Sequence, residues 1–460
     1  MTLELARWQF AVVTIFHFFF VPLTIGLSFL VAIMQTLAYR RKDPGWDRLS
    51  RFFGRLFLIT LAVGVVTGIV LEFQFGLNWS SYSVFVGNIF GAPLAIEGLL
   101  AFFLESTFIG LWIFGRERLS ARLHLATIWV VAAGTVLSVL FILAANAWMQ
   151  HPVGYKVVHG QAVLTNFWLI LGNSTLWAQF AHTVLAAFAT GGALTLGISV
   201  WRAHRDRNDP EARRAFQRSA HLATVFLLGA VVLTAVAGDS LGRVMDTQEP
   251  MKMAAAEGLY RTANGAPFSL LTITNLSDQP VVQIRVPHVL SLIEDLSWNG
   301  QVPGIDNIQA ADVAKYGHGS YVPMIWLTYW SFRVMVAAGV LMILLGAWGV
   351  LLAWRKKLAD SLWFRRAALC GIALPFIANT AGWVMTEVGR QPWIVYGVML
   401  TAKGVSGVTV ADVATTLAAF VLIYTALGVT EAALMTRSAR RPLDEPDADP
   451  ESSLGPSLVY

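Results

Sequence analysis

The sequence predicts an all-α integral membrane protein with nine transmembrane helices, N-terminus outside, C-terminus cytoplasmic, and one long outer loop. Three observations predict it. First, the 460 residues are 56% hydrophobic and only 13% charged, with a mean hydropathy of +0.60, against about 25% charged for an ordinary soluble domain. A water-soluble fold could not hide that much apolar surface. Second, nine stretches reach the ~20 apolar residues that a spanning helix needs. Third, lysine and arginine gather after alternate stretches, as the positive-inside rule requires of a threaded chain. The composition fits neither disorder, collagen nor a nucleic-acid partner, and the net charge of +5 reports topology. The single cysteine, Cys370, excludes an internal disulfide, a zinc cluster and a Cys-ligated iron–sulfur centre.

In chain order the spans are 10–38, 52–76, 94–115, 125–148, 176–201, 219–241, 323–354, 367–388 and 412–436. The first is too long for the core of a signal peptide and carries His17, so it is expected to be retained. After span 1 come Arg40, Arg41, Lys42, Arg48, Arg51 and Arg55; after span 3, Arg116, Arg118 and Arg122. After span 5 come Arg202, Arg205, Arg207, Arg213, Arg214 and Arg218; after span 7, Arg355, Lys356, Lys357, Arg365 and Arg366. Arg437, Arg440 and Arg441 follow span 9. Every group follows an odd-numbered span, which places these loops in the cytoplasm. The organisation expected is therefore helices 1–6 in 1–241, an extracytoplasmic loop at 242–322, helices 7–9 in 323–436, and a disordered cytoplasmic tail at 437–460. A structureless loop as long as 242–322 is usually functional or disordered, and the tail is rich in Pro, Asp, Glu and Ser. No internal repeat is evident, which weakens an inverted-repeat transporter reading.

Ionisable groups inside spans are costly and mark function by default. Here they are His17, Glu97, Glu105, His182, Arg333 and Glu387. Each has a plainer alternative. An intramembrane histidine can be an interhelical hydrogen-bond partner, and Arg and Glu can neutralise one another. Depth favours function: His17, Glu97, His182, Arg333 and Met335 fall in the outer halves of odd spans, and Glu387 ends an even one. One functional layer accounts for that clustering. Histidine and methionine are axial ligands of haem iron, although most methionines in apolar spans are filler. Glu97 and Glu105, eight residues apart, stand ~80° apart on an ideal helix and ~12 Å apart along its axis. That spacing suits two stations of a proton relay, or two protonated acids hydrogen-bonded to neighbouring helices.

Several segments together resemble subunit I of the cytochrome bd quinol oxidases. They are HFFFVPLTIG with His17, LEFQFGLNWSSYS at 71–83, GAPLAIEGLLAFFLEST at 91–107, ANAWMQ with Asn146 to Gln150, FAHTV with His182, FRVMVAAG at 332–339 and GRQPW at 389–393. The resemblance implies an enzyme that oxidises membrane quinol at the outer face and reduces O2 to water. Protons taken from the cytoplasm would charge the bacterial inner membrane without a pump. It implies His182 and Met335 as the axial pair of a low-spin haem b, and His17 and Glu387 as ligands of two high-spin haems, a second haem b and haem d. Which of the two holds which iron stays open. Glu97 becomes a further ligand or a proton donor, while Arg333, Arg390, Arg7 and Trp383 pack around the haems. Glu117, Ser138, Ser106 and Glu105 match the family's proton route, and Lys252 and Glu257 in KMAAAEG match its quinol-binding pair in the Q-loop. The chain after Gln283 is short, as in the short-loop branch, part of which resembles oxidases with little or no haem d. The implied partners are subunit II, a small single-span subunit, lipid and quinone.

Two other classes compete. A cofactor-free transporter or channel would use Glu97, Glu105 and Arg333 to line an ion path, but leaves the placing of His17, His182, Met335 and Glu387 to coincidence. A purely structural membrane subunit explains neither set.

Overall fold

The computed structural model describes residues 1–274 and 280–443. Among the described residues nine helical stretches are long and apolar enough to cross a membrane. They are α1 (Thr2–Arg41), α2 (Pro44–Leu77), the composite of α3 (Ser80–Ile96), a π-helical turn (Glu97–Phe102) and α4 (Phe103–Phe114), and then α5 (Ala121–Gln150). A hairpin of β1 (Tyr155–Val158) and β2 (Gln161–Leu164) and the short α6 (Phe167–Leu171) lead to α7 (Ser174–Arg205) and α8 (Pro210–Gln248).

The long loop then folds as α9 (Pro250–Glu257), β3 (Ala263–Asn264), β4 (Phe268–Thr274), β5 (Pro280–Val286), α10 (Val289–Asp295), β6 (Gln301–Val302) and α11 (Ile305–Tyr316). Strands β3 and β6 pair antiparallel, as do β4 and β5. The chain ends with α12 (Ile325–Trp354), the span formed by α13 (Leu362–Gly371) and α14 (Ala373–Gly389), a small β7 (Trp393–Val395) and β8 (Met399–Leu400) pair, and α15 (Val410–Arg440).

Each expected span coincides with a helical stretch, and most of the helices are longer; α12 starts two residues after the expected 323, and the third span ends at Phe114, one residue short of 115. Backbone hydrogen bonding continues where hydropathy has already fallen, because the helix ends are capped and polar. Asp43 and Asp209 accept backbone N–H bonds from Gly45 (2.8 Å) and from Glu211 and Ala212 (3.0 and 3.1 Å), each with proline in the first turn. Thr409 and Asp412 close a capping box on α15. Three boundaries are corrected. The third span begins at Ser80, not near 94, so Glu97 sits at its middle and not in its outer half. Helix α8 runs to Gln248, so the loop starts at 249, not 242. Helix α15 runs to Arg440, past the expected start of the tail at 437; residues 444–460 of that tail lie outside the described residues.

Helix α7 is the centre of the bundle: 78% of its apolar window is buried, against 6% for the third span and 11% for α15. Its small residues let α1 approach closely. A Cβ on Gly26 would lie 2.4 Å from the Ala187 carbonyl oxygen, and one on Gly191 would lie 2.4 Å from the Gly26 carbonyl carbon. Such contacts join helices where lipid removes the hydrophobic drive between them. Gly26→Val is expected to push the two helices apart and lower the thermal midpoint of the purified protein. An unchanged midpoint would contradict this packing.

One end of the bundle is rimmed with arginines, several paired to carboxylates of another helix or loop. Arg48 meets Glu211 (3.1 Å), Arg213 meets Asp360 (2.7 Å), Arg116 meets Asp47, and Arg218 meets Asp43. Arg202, only 2% exposed, pairs with Asp206 (2.7 Å) and donates to the carbonyls of Ala439 (2.8 Å) and Arg441 (2.7 Å). Its guanidinium stacks on Phe216 and Phe52. The folded loop lies with the opposite helix ends, between α8 and α12.

Candidate functional site

The two span histidines are each fixed through Nδ1. His182 on α7 bonds the Thr234 carbonyl of α8 at 3.1 Å. A carbonyl only accepts, so Nδ1 carries the proton and Nε2 keeps its lone pair. His17 on α1 bonds Thr67 Oγ1 of α2 at 3.0 Å. Thr67 donates its own hydrogen to the carbonyl of Val63 or Gly64 (2.9 and 3.0 Å), so His17 is again the donor at Nδ1. Both rings thereby offer Nε2 in the state that ligates metal, with the outer nitrogen anchored as in metal sites generally. Each ring also faces a glycine. A Cβ on Gly238 would lie 3.1 Å from His182 Cε1, and one on Gly68 would lie 3.1 Å from His17 Cε1. Met335 on α12 likewise has its sulfur 3.0 Å from where a Gly382 Cβ would be.

Glu387, near the end of α14, is held by Arg390 Nη2 on one carboxylate oxygen and by Asn146 Nδ2 of α5 (3.1 Å) on the other. Next to it Arg7 of α1 donates to Gln391 Oε1 (3.0 Å) and to Glu4 (2.9 Å). Trp383, one turn earlier on α14, packs edge-on against Phe18 at 5.2 Å. Arg333 donates to Glu257 Oε2 (2.7 Å) and to the Ala256 carbonyl (3.3 Å), inside a cage of Tyr329, Phe268 and Phe332 with ring centres 4.4, 4.9 and 5.0 Å away.

Lys252 and Glu257, both expected to bind quinol, each have an ion-pair partner of their own. Lys252 Nζ pairs with Glu249, and bonds Gln150 Oε1 at 2.8 Å. Glu257 belongs to Arg333. Burial pushes the Glu249 and Glu257 carboxyls up from their ordinary values, against the pull of Lys252 and Arg333 respectively. Burial also pushes the Lys252 ammonium down, against the pull of Glu249. Sequence reading missed Glu249, Gln179 and Thr67. The signal for Glu249 is its place three residues before Lys252, one helical turn away.

Glu97 accepts a hydrogen bond from Ser138 Oγ of α5 at 2.6 Å. Glu105 Cβ lies 3.5 Å from where a Cβ on Gly134 of α5 would be. Gly134 and Ser138 are one turn apart, so the two acids face the same helix. That corrects the ~80° offset of an ideal helix. The π-helical turn between them inserts about one residue. Eight residues then cover about seven α-helical steps, ~20° short of two full turns. Ser106 donates to the Phe103 carbonyl of its own helix (3.2 Å) and is exposed, as is Glu117 in the turn after α4. Among the described residues neither is hydrogen-bonded to Glu97, Glu105 or Ser138.

Among the described residues no three of His, Cys, Asp or Glu converge on a bare metal ion. The candidate donors are of another kind: His17, His182, Met335 and Glu387 lie singly, each on a different helix, an arrangement that would suit an iron whose other ligands come from a porphyrin. The leftover donors agree. Arg7 Nε, Arg333 Nε, and Arg390 Nε and Nη1 are buried without a partner among the described residues. Buried guanidinium donors call for an anion, and haem propionates are carboxylates. The residues present therefore fit haem.

A family model described as cytochrome bd terminal oxidase subunit I matches residues 5–443. The chain is 44% identical over 442 residues to a Bacillus subtilis (strain 168) protein named cytochrome bd ubiquinol oxidase subunit 1, covering 95% of this chain and 94% of that one. It is 34% identical over 498 residues to the cytochrome bd-II ubiquinol oxidase subunit 1 of Escherichia coli (strain K12), covering 95% and 96%. It also resembles the solved bd oxidase from Geobacillus thermodenitrificans, with a TM-score of 0.86 and 28% identity over 96% of this chain and 98% of that one.

Proposed function

The chain belongs to the cytochrome bd terminal oxidase subunit I family, and on that basis we propose that it is the haem-bearing subunit of a quinol:oxygen oxidoreductase. Two quinols are oxidised to quinones, and their four electrons, with four protons, reduce one O2 to two waters. The chain is a multi-pass protein of the bacterial inner membrane and works with a subunit II; a small single-span subunit is a further proposed partner. The arginine rim faces the cytoplasm and the N-terminus and folded loop lie outside. The observation that carries the reading is the pair of span histidines with Nδ1 committed and Nε2 without a hydrogen-bond partner among the described residues.

His182 and Met335 would hold a low-spin haem b, and His17 and Glu387 the two high-spin haems, one of them haem d. When bound, haem supplies one-electron transfer and the iron at which O2 is reduced. The protein residues do the rest. Arg7, Arg333 and Arg390 would neutralise the haem carboxylates, and Trp383 would pack beside the haem. Glu97 and Glu105, facing α5 with Ser138, hold protons in transit. Ser106 and Glu117 mark the way in from the arginine-rich side. At the loop, Lys252 and Glu257 hold the quinol, with Glu257 placed by Arg333. Protons from quinol leave on the outer side while those for water enter from the inner, which charges the membrane.

A reduced-minus-oxidised spectrum with pyridine-haemochrome analysis tests this. Three haems per chain are expected, with the haem b to haem d ratio read from the same extract. A colourless preparation would end the reading in favour of a transporter or a structural subunit.

A further inference from the structure

Four polar residues join the loop to the end of α14 in one unbroken line. Lys252 of α9 donates to Gln150 Oε1 (2.8 Å). Gln150 Nε2 donates to Asn146 Oδ1 (2.7 Å), and Asn146 Nδ2 donates to Glu387 Oε1 (3.1 Å). Gln179 Nε2 of α7 adds a second donor to Asn146 Oδ1 (3.1 Å). Beyond Lys252 the line ends on Glu249, and beyond Glu387 on Arg390.

The ends fix the direction of every bond between them. An ammonium only donates, so the oxygen of Gln150 must face Lys252. A carboxylate only accepts, so the nitrogen of Asn146 must face Glu387. Both amides point the same way, from cation to anion, and such aligned chains polarise one another. Lys252, Glu249, Gln150 and Gln179 are each at most 6% exposed, so water cannot substitute cheaply for a lost link. The second oxygen of Glu249 is buried without a partner among the described residues, which leaves the loop end of the line one donor short.

We propose that Gln150 and Asn146 are positioning residues that couple quinol occupancy at Lys252 to the orientation of the Glu387 carboxylate, and so to the haem Glu387 holds. This rests on the proposed quinol oxidase function. A quinol oxygen competing for the Lys252 ammonium weakens its hold on Gln150, and the change passes along the two amides to Oε1. Arg390, on the other oxygen, is the fixed side of the balance. The loop is thereby linked to the interior through α5 as well as through Arg333.

The experiment titrates the purified, haem-loaded oxidase with short-tailed benzoquinone and naphthoquinone analogues while recording the high-spin and low-spin haem bands. In the unaltered protein an analogue is expected to shift the high-spin band. Gln150→Met and Asn146→Leu are expected to abolish that shift, to leave the low-spin bands in place, and to change analogue affinity by about fivefold or more, the usual lower range of coupling between sites. Gln150→Glu separates coupling from simple anchoring. It still accepts from Lys252 but cannot donate to Asn146, so it too is expected to lose the shift. If the unaltered protein shows no high-spin response, or if Gln150→Glu retains one, the proposal is overturned while the oxidase reading stands. Absence of all haem bands overturns both.

Discussion

Replacing His182 with alanine is expected to remove the low-spin haem b bands from the reduced-minus-oxidised spectrum and to cut quinol oxidation by more than ~100-fold. Partners that merely orient a metal-bound histidine are already worth about 10–100-fold, and in the proposed role the ligand itself would be lost. The ring is prepared for ligation: the Thr234 carbonyl holds the Nδ1 proton, and Gly238 leaves its edge free of a side chain. Met335→Ala is expected to give the same spectral loss, since its thioether would hold the same haem. The high-spin bands, proposed to depend on His17 and Glu387, are expected to persist in both variants. Normal low-spin spectra in both would refute the assignment.

The second large effect is at Glu257. Glu257→Gln keeps an oxygen for Arg333 Nη2 but removes the charge. It is expected to lower quinol oxidation by ~100-fold or more, the lower bound for losing a positioned proton acceptor, while haem content stays near normal. Glu257→Ala is expected to do worse on both counts. It leaves the buried Arg333 guanidinium without its protein carboxylate, and breaking a buried pair from one side costs about 3–5 kcal/mol. The comparison separates chemistry from folding. Equal loss of oxidation and haem in Glu257→Gln would assign the residue a structural role.

Much of this architecture was legible in the residues. Hydropathy and the placing of Arg and Lys were enough for nine spans, because the bilayer forces both. Span ends were less legible. The stretch Ser80–Asn88 carries Ser81, Ser83 and Asn88 and dilutes any hydropathy window, yet it is continuous helix. The π-helical turn after Ile96 left no signature in the sequence, and so the facing of Glu97 and Glu105 was misjudged. The identity of Lys252's partner could have been read. Five residues on a helix separate Lys252 and Glu257 by ~140°, whereas three bring Glu249 onto the face of Lys252. What no sequence rule gives is the commitment of each histidine's Nδ1, because its acceptors lie 50 and 52 positions away along the chain.

The arginines at the basic rim are read twice. During insertion only their sign and count matter, and lysine would serve as well. Once the helices have assembled, geometry matters too. Arg202 spreads one planar fork over Asp206 and two backbone carbonyls while resting against two phenyl rings, a task the point charge of lysine cannot perform. A lysine exchange there would thread correctly and still leave the last helix poorly fastened, so correct orientation in the bilayer is no proof that this end of the molecule has closed.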